Sequence, residues 1–228
     1  MAKGLSTLKP SAVYGSDSNL NKDTKDLGLA VILLAAGKSQ RFGSNKLLAN
    51  IGVTTLIERT LQPFLSIGNI VKTMIIVTGA YTRELTPVLS KYPVLQRHNA
   101  LYATAGMSSS VIIGALTLKE LQRRDLSGIF IHPADMPFVS SDDLDSILEV
   151  HEREKESILI PTFGGKRGHP LLIPIALLDD LFDLQEANQG LRGFLKEQEK
   201  RIKFVVCPTK GIMRDIDSPT DLKASFFP

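Results

Sequence analysis

A short polar segment with two glycines and three cations directly follows the first apolar run of the sequence. The run spans 29–36, has the composition of a buried strand and ends at Gly37. The next residues include the cations Lys38, Arg41 and Lys46, after which the sequence becomes apolar again. A loop at a strand end that combines free backbone N–H groups with mobile positive charge suits a phosphate group. These residues therefore predict a phosphate-binding loop.

The spacing of the glycines in this loop excludes two common nucleotide-binding motifs. Five residues separate Gly37 from Gly43, one more than in the common P-loop, and Ser44-Asn45 follows in place of Lys-Ser or Lys-Thr. The dinucleotide fingerprint G-x-G-x-x-G does not occur here either. The loop must therefore belong to another class of phosphate site.

Carboxylates follow two other segments of the chain. Asp135 comes directly after the apolar run 128–133 and lies between two prolines, which make its position rigid. A single rigid carboxylate suits a hard cation such as Mg²⁺, and a turn-forming aspartate is an equally good interpretation of these residues alone. Near the end of the chain, Asp215 and Asp217 project to the same face if their segment is extended, because side chains alternate along a strand.

Two further polar blocks follow strand-like segments. The block 106–110, Gly-Met-Ser-Ser-Ser, precedes an apolar helical pattern, so its serines offer hydroxyl groups to a ligand or act only as helix caps. The block 163–170 is glycine-rich and basic, which on its own also fits a hairpin with surface charges. Of the four histidines, we expect only His169, next to Pro170, to be functional. His151 lies among charged residues of a predicted solvated helix.

These blocks need a scaffold that brings strand ends together. Apolar periodicity predicts strands at 29–36, 73–78, 94–98, 128–133, 157–161, 170–174 and 202–207, and helices at 54–66, 80–90, 108–122, 140–155 and 190–199. Alternating strands and helices favour a parallel sheet covered on both faces, with ligands beyond the carboxyl ends of its strands. We therefore predict an α/β fold, a single Rossmann-like three-layer domain with a mostly parallel central sheet.

The domain is predicted to span 28–228. Residues 1–27 are polar and lack periodicity, which predicts a disordered or loosely packed N-terminal extension. Thr54 and Ser140 are the predicted N-caps of two helices, and Asp143 completes a capping box with Ser140.

The composition excludes several classes of partner. A net charge of +3 with interspersed cations and acids, no Trp and few aromatics argue against nucleic-acid binding. No apolar stretch approaches the ~20 residues of a membrane helix, so no membrane partner is expected. The single cysteine, Cys207, lies in an apolar run and is interpreted as a core residue on a strand. The absence of disulfides within the chain favours a reducing cytoplasm.

The motifs together resemble the molybdopterin nucleotidyltransferases. The segment 33–48 is similar to L-A-A-G-x-S-x-R-(F/M)-G-x-x-K-x-L, the signature of nucleotidyltransferases in general. The blocks G-M-S-S-S, R-G-H-P and D-I-D-S-P are much narrower and resemble the branch that attaches CMP or GMP to molybdopterin. The resemblance spans about 29–224 and implies a fold of the nucleotide-diphospho-sugar transferase type. Ala134 departs from the family pattern, which has glycine before the acidic residue, so a left-handed backbone there would be strained.

The resemblance implies a role for each block. The expected catalytic groups are Lys46, Arg41 and Asp135, with Mg²⁺ or Mn²⁺ on Asp135 and Asp215. The expected nucleotide-binding residues are Leu34, Ala35, Ala36, Gly37, Lys38, Ser39, Arg41, Lys46, Gly106, Ser108 and Ser109. The expected acceptor side comprises Arg167, Gly168, His169, Pro170 and Asp217, the last supporting Asp215.

The implied reaction is transfer of CMP from CTP to molybdopterin, the molybdenum cofactor, with release of pyrophosphate. Relatives with L-A-A-G in the first block tend to use CTP, and the methyl group of Ala36 would crowd a purine. GTP as the nucleotide, another phosphorylated small molecule as the acceptor, and a non-catalytic carrier of the cofactor are the alternatives. Lys46, Asp135 and Asp215 argue against the carrier, which has no use for them. A recipient molybdoenzyme is a further expected partner.

Overall fold

The computed structural model describes residues 28–224, in which an eight-stranded sheet lies between two layers of helices. The strands are β1 (Leu29–Ala35), β2 (Asn50–Ile51), β3 (Thr54–Thr55), β4 (Val71–Thr78), β5 (Leu95–His98), β6 (Gly128–Pro133), β7 (Ile158–Phe163), β8 (Lys166–Arg167), β9 (Leu171–Pro174) and β10 (Ile202–Val206). The helices are α1 (Leu56–Ser66), α2 (Thr82–Leu89), α3 (Tyr102–Glu120), α4 (Ser141–Arg153), α5 (Leu191–Glu197) and α6 (Pro219–Ala224). The predicted extension 1–27 lies outside the described residues.

The sheet has the order β10-β7-β9-β6-β1-β4-β5, with β8 paired to β7. Neighbours from β6 to β5 are parallel, as are β10 and β7, whereas β9 is antiparallel to both of its neighbours. The predicted α/β class with a mostly parallel central sheet is therefore confirmed. The short hairpin of β2 and β3 and the strand β8 were not predicted, because segments of two residues are too short to show periodicity.

The central strand β1 shows why its sequence is continuously apolar. Leu29, Val31 and Leu33 face the core beneath α1, α2 and α4, whereas Ala30 and Ile32 face the core beneath α3 and α5. A strand covered by helices on both faces needs apolar residues at every position. None of the helices within 28–224 is long and apolar enough to cross a membrane.

Helix caps confirm one predicted start and correct the other. Ser140 caps α4, and its capping box with Asp143 is present as predicted. The cap of α1 is Thr55, not the predicted Thr54, because Glu58 lies three residues after Thr55 and completes a capping box there. Thr54 is instead paired with Ile51 in the hairpin.

Two other predictions need correction. His151 is fully buried, not solvated, and Ser127 Oγ lies 2.9 Å from its Nε2. His151 lies four residues after Ile147 on α4 and therefore shares the apolar face that packs on the sheet.

Cys207 is buried as predicted, but it lies just after β10 and not on the strand. Burial raises the pKa of its thiol to about 12, so it is protonated at neutral pH.

Candidate active site

The predicted phosphate loop connects the end of β1 to a short 3₁₀ turn at Lys46–Leu48. Ser39 adopts a left-handed conformation with φ 49°, and its Oγ accepts a hydrogen bond of 3.3 Å from the backbone N–H of Lys46. Tyr81 donates its hydroxyl to the carbonyl of Lys38 at 2.9 Å. These bonds hold the loop from both sides, so its cations project from a supported backbone.

Lys46 connects the loop to two carboxylates. Its Nζ lies 2.8 Å from Asp135 Oδ2 and 2.9 Å from Asp217 Oδ1, and its side chain is only 11% exposed. Burial disfavours the charged ammonium, but the attraction and hydrogen bonds of both carboxylates outweigh it and raise the pKa of Lys46. Arg41, which is largely exposed, reaches the other oxygen of Asp217 at 3.1 Å. The predicted catalytic residues Lys46, Arg41 and Asp135 therefore meet in one cluster.

The backbone brings these carboxylates together from distant parts of the chain. Asp135 follows β6, and the N–H of Ala134 donates to Leu34 O on the neighbouring β1 at 3.1 Å. The N–H of Ile216 then donates to Asp135 O at 2.9 Å, which places Asp217 beside Asp135. Ala134 does not have a positive φ, so the strain that the missing glycine would have implied is absent.

The contacts at the end of the chain differ from the expected division of roles. Asp217, predicted as a supporting group, shares the Lys46 ammonium with Asp135, whereas Asp215 makes no hydrogen bond to Lys46. Asp215 is an exposed residue. Partial burial of its carboxyl group and the nearby charges of Asp217 and Asp135 raise the pKa of Asp215. The hydrogen-bond geometry therefore favours Asp217 over Asp215 as the partner of Asp135.

Two adjoining cavities open at this cluster. The larger, about 390 Å³, is lined by Lys38, Ser39, Gln40, Arg41, Lys46, Tyr102 and Asp217. The smaller, about 220 Å³, is lined by Leu34, Ala35, Ala36, Gly37, Ser39, Lys46, Leu47, Tyr102, Met107, Pro133, Asp135 and Asp217. All predicted nucleotide-binding residues of the first block therefore line this space.

Tyr102 lines both cavities and was not among the predicted site residues. Burial, together with the charges of Asp135 and Glu186, raises the pKa of its phenol. One feature of the sequence could have identified Tyr102: it is an aromatic residue between a predicted strand end and the serine block. Glu186 begins a short 3₁₀ turn, Glu186–Asn188, in a segment with no recognisable motif, and nothing in the sequence identifies it as part of the site.

The serine block forms the start of a straight helical segment, as predicted. Gly106 interrupts α3 with φ 63° and ψ −160°, so the continuous helix begins after it. Ser108 binds the carboxylate of Glu186 through both its backbone N–H and its hydroxyl group. Ser109 accepts a hydrogen bond of 2.8 Å from the buried Asn99 side chain. The hydroxyl groups of Ser108 and Ser109 are thus already engaged within the protein.

In the structure, the predicted acceptor-side residues 167–170 do not all lie at the Lys46 cluster. The ring of His169 lies 6.4 Å, between centroids, from that of His132, and its Nδ1 is buried without a partner among residues 28–224. Burial lowers the pKa of His169, whereas the backbone of Ile131 and the charge of Asp135 act in the opposite direction. His169 is therefore near Asp135.

The other predicted acceptor-side residues of this block separate into two groups. Gly168 and Pro170 are buried next to His169. Arg167, in contrast, places its guanidinium 4.8 Å from the ring centroid of Phe204 on β10. It makes no hydrogen bond or ion pair with the Lys46 cluster.

The donor set of the cluster fits a hard divalent cation. Two carboxylates from distant segments of the chain already converge on one positive group, and Mg²⁺ commonly takes one or two carboxylates together with substrate phosphates. No group of three or more His, Cys, Asp or Glu side chains within 28–224 could hold a metal by itself. A cation at this site would therefore need oxygen ligands from a bound substrate.

Fold and site together define a Rossmann-like α/β domain with a cationic loop and paired carboxylates at the carboxyl ends of its strands. The model of the MobA-like NTP transferase domain family matches residues 31–202. This range contains Lys46 and Asp135 and ends before Asp217. The chain belongs to the family of MobA-like NTP transferase domains.

Curated relatives match only part of their own length. A probable molybdenum cofactor guanylyltransferase from Bacillus cytotoxicus is 28% identical over 144 residues, which is 63% of this chain and 66% of that protein. A bifunctional enzyme IspD/IspF from Agrobacterium fabrum is 28% identical over 133 residues, which is 57% of this chain and 32% of that protein. The chain thus spans about a third of one curated relative and about two thirds of the other.

Solved structures confirm the fold. Rv0371c from Mycobacterium tuberculosis matches with a TM-score of 0.73 and 18% identity, over 87% of this chain and 97% of that chain. A structure of Rv0371c in complex with manganese matches with a TM-score of 0.65 and 20% identity, over 87% of this chain and 97% of that chain. At these identities the likeness shows the nucleotide-diphospho-sugar transferase type of fold alone.

Proposed function

We propose that this protein transfers CMP from CTP to the phosphate group of molybdopterin and releases pyrophosphate. The observation that carries the proposal is the Lys46 ammonium between Asp135 and Asp217, at the mouth of cavities that the phosphate loop lines. Membership of the MobA-like NTP transferase domain family supports nucleotidyl transfer as the reaction class.

The loop and its cations would hold the triphosphate. Backbone N–H groups of 36–43 and the guanidinium of Arg41 contact the β- and γ-phosphates, and Lys46 reaches the α-phosphate. An oxygen of the acceptor phosphate attacks the α-phosphorus, the new P–O bond forms, and the bond to the β-phosphate oxygen breaks, so that pyrophosphate leaves. Lys46 then lies where negative charge develops on the phosphate oxygens.

The acceptor requires little help from a general base. A phosphate monoester is largely ionised at neutral pH, because its second pKa is about 6. Asp135 and a second carboxylate, Asp217 or the initially expected Asp215, would hold Mg²⁺ or Mn²⁺ together with the substrate. A cation bound there neutralises charge on the phosphate oxygens. His169, near Asp135 and neutral at pH 7, is the group we place nearest the acceptor.

GTP is the second candidate nucleotide. The probable molybdenum cofactor guanylyltransferase among the curated relatives favours it. Against it stands Ala36, which lines the smaller cavity and whose methyl group leaves less space for a purine than glycine would. A cytoplasmic location and delivery of the product to a molybdoenzyme stay predictions.

A pyrophosphate-release assay tests the proposal. CTP, GTP, UTP and ATP are each incubated with the protein and Mg²⁺, with and without molybdopterin. We expect release that requires molybdopterin and is fastest with CTP. Binding of CTP without release in the presence of molybdopterin would favour the non-catalytic carrier instead.

A further inference from the structure

The side chain of Glu186 has a defined position at the start of the straight part of α3. The N–H of Ser108 donates to Glu186 Oε2 at 3.2 Å, and the hydroxyl group of Ser108 donates to the same oxygen. Two glycines with positive φ leave space for this arrangement. A Cβ atom on Gly106 would lie 2.6 Å from Glu186 Oε1, and one on Gly190 would collide with the Ser108 hydroxyl group. The backbone is therefore shaped around this carboxylate.

The second oxygen of the carboxylate is available to a ligand. Both hydrogen bonds from Ser108 end on Oε2, and Oε1 has no hydrogen-bond partner within residues 28–224. An ionised carboxylate can only accept hydrogen bonds. Glu186 thus presents one fixed acceptor oxygen, and a group that binds it must carry an N–H or O–H donor.

Glu186 packs beside a residue that lines the smaller cavity. Tyr102 and Met107 line the smaller cavity together with Lys46, Asp135 and residues of the phosphate loop. Gly106, against which the Glu186 carboxylate packs, directly precedes Met107. The charges of Asp135 and Glu186 both contribute to the raised pKa of the Tyr102 phenol. A nucleotide with its phosphates at Lys46 would direct its base towards Tyr102, Met107 and Glu186.

We propose that Glu186 selects the base of the nucleotide. Its Oε1 accepts a hydrogen bond from an exocyclic amino group, such as the N4 amino group of cytosine. Uracil carries a carbonyl oxygen in the same position, which the carboxylate repels. The inference rests on the proposed function, and it deepens that function by making Glu186 the group that separates CTP from UTP. A single free oxygen suits a single amino group, because the other oxygen is occupied by Ser108.

The simpler role for Glu186 is that of a cap for the helix that begins after Gly106. A cap contributes to stability and has no reason to distinguish two pyrimidines. The two roles therefore differ in base selectivity and not in their effect on melting temperature.

The test compares Glu186→Gln with a matched control. Glu197→Gln makes the same change of charge at an exposed residue of α5 whose side chain forms no hydrogen bond or ion pair with the rest of 28–224. Affinities for CTP and UTP are measured by calorimetry with Mg²⁺ and no acceptor, and kcat/KM is measured by pyrophosphate release with molybdopterin. We expect the wild-type protein and Glu197→Gln to favour CTP over UTP by roughly 10- to 100-fold. Glu186→Gln should abolish or reverse this preference, since the amide oxygen accepts from Ser108 and leaves the NH2 group, which can donate to the uracil carbonyl but cannot accept from the cytosine amino group.

The outcomes separate this inference from the proposed function. A wild-type ratio near one, or an undiminished ratio in Glu186→Gln whatever its melting temperature, overturns the role of Glu186 in base selection. Ser108→Ala is a second variant, which keeps the charge of Glu186 but removes the hydroxyl anchor, and it should lower the ratio partway. If no nucleotide releases pyrophosphate, the proposed function fails, and the binding ratios still decide the role of Glu186.

Discussion

Replacement of Lys46 by methionine tests the group on which the proposed chemistry depends most. The substitution keeps most of the apolar stem and removes the ammonium group that binds Asp135 and Asp217 at 2.8 and 2.9 Å. Because the Lys46 side chain is only 11% exposed, water cannot fully replace the lost contacts. The two carboxylates then face each other without the cation between them.

The structure sets the expected magnitude. Hydrogen bonds between charged groups contribute about 1.5–3 kcal/mol each when well shielded. Asp135 and Asp217 are 28% and 44% exposed, so solvent screening reduces this value. We therefore expect Lys46→Met to lower the free energy of unfolding by only ~1–2 kcal/mol. The rate of the chemical step should fall by roughly 10²–10³-fold, as when one donor to a developing oxyanion is removed.

Single-turnover kinetics separate chemistry from binding. The rate of product formation at saturating CTP and Mg²⁺ is compared with the equilibrium affinity for CTP, and Lys196→Met on the exposed face of α5 serves as the control. We expect the rate to fall far more than the affinity, because the charge matters most in the transition state. Weaker CTP binding with an unchanged single-turnover rate would refute the role of Lys46 in the reaction.

Three further predictions concern the metal, the base and pH. Asp135→Asn should reduce turnover by more than about 100-fold and leave the melting temperature nearly unchanged, since the residue lies in a strand-end loop. A variant with turnover within about tenfold of wild type at saturating Mg²⁺ would contradict the role of Asp135 as a metal ligand. Ala36→Gly should narrow the preference for CTP over GTP by admitting the purine, and an unchanged ratio in a competition assay would show that this methyl group does not contact the base. Burial lowers the pKa of His151 to about 4, so the unfolded chain binds one more proton than the folded protein as the pH falls from 6.5 to 4. The free energy of unfolding should therefore fall by about 1.4 kcal/mol per pH unit in this range from His151 alone. Urea titrations at several pH values should show that His151→Gln removes this contribution. If the free energies of unfolding of the wild type and the variant change with pH in parallel, His151 makes no such contribution.

The fold could be predicted because its signals are local and repeated. Most strands of the sheet, such as β1, β6 and β7, are apolar runs that end at a glycine, a proline or a polar block, and helices such as α1 and α4 show their own apolar periodicity. The rule that ligands lie beyond the carboxyl ends of parallel strands predicts that Lys46 and Asp135 lie in one cleft. In the structure, Lys46 Nζ and Asp135 Oδ2 are 2.8 Å apart.

The parts that could not be predicted depend on contacts between distant segments. Asp215 and Asp217 are equivalent in a strand pattern, and only the backbone bond from Ile216 to Asp135 brings Asp217 to Lys46. Glu186 binds Ser108 of α3, which lies 78 residues earlier in the chain, and no local pattern reports such a contact. His151 could have been found, since its spacing from Ile147 matches the buried face of α4.

A competition assay with both nucleotides tests the central claim most directly. Equal concentrations of CTP and GTP are incubated with the protein, Mg²⁺ and molybdopterin, and the products are identified by mass. We predict pyrophosphate together with a cytosine dinucleotide of molybdopterin, favoured over the guanine product by roughly 10- to 100-fold. A guanine product in excess would contradict the choice of base. The absence of any dinucleotide product, with the protein folded and both nucleotides intact, would contradict nucleotidyl transfer to molybdopterin itself.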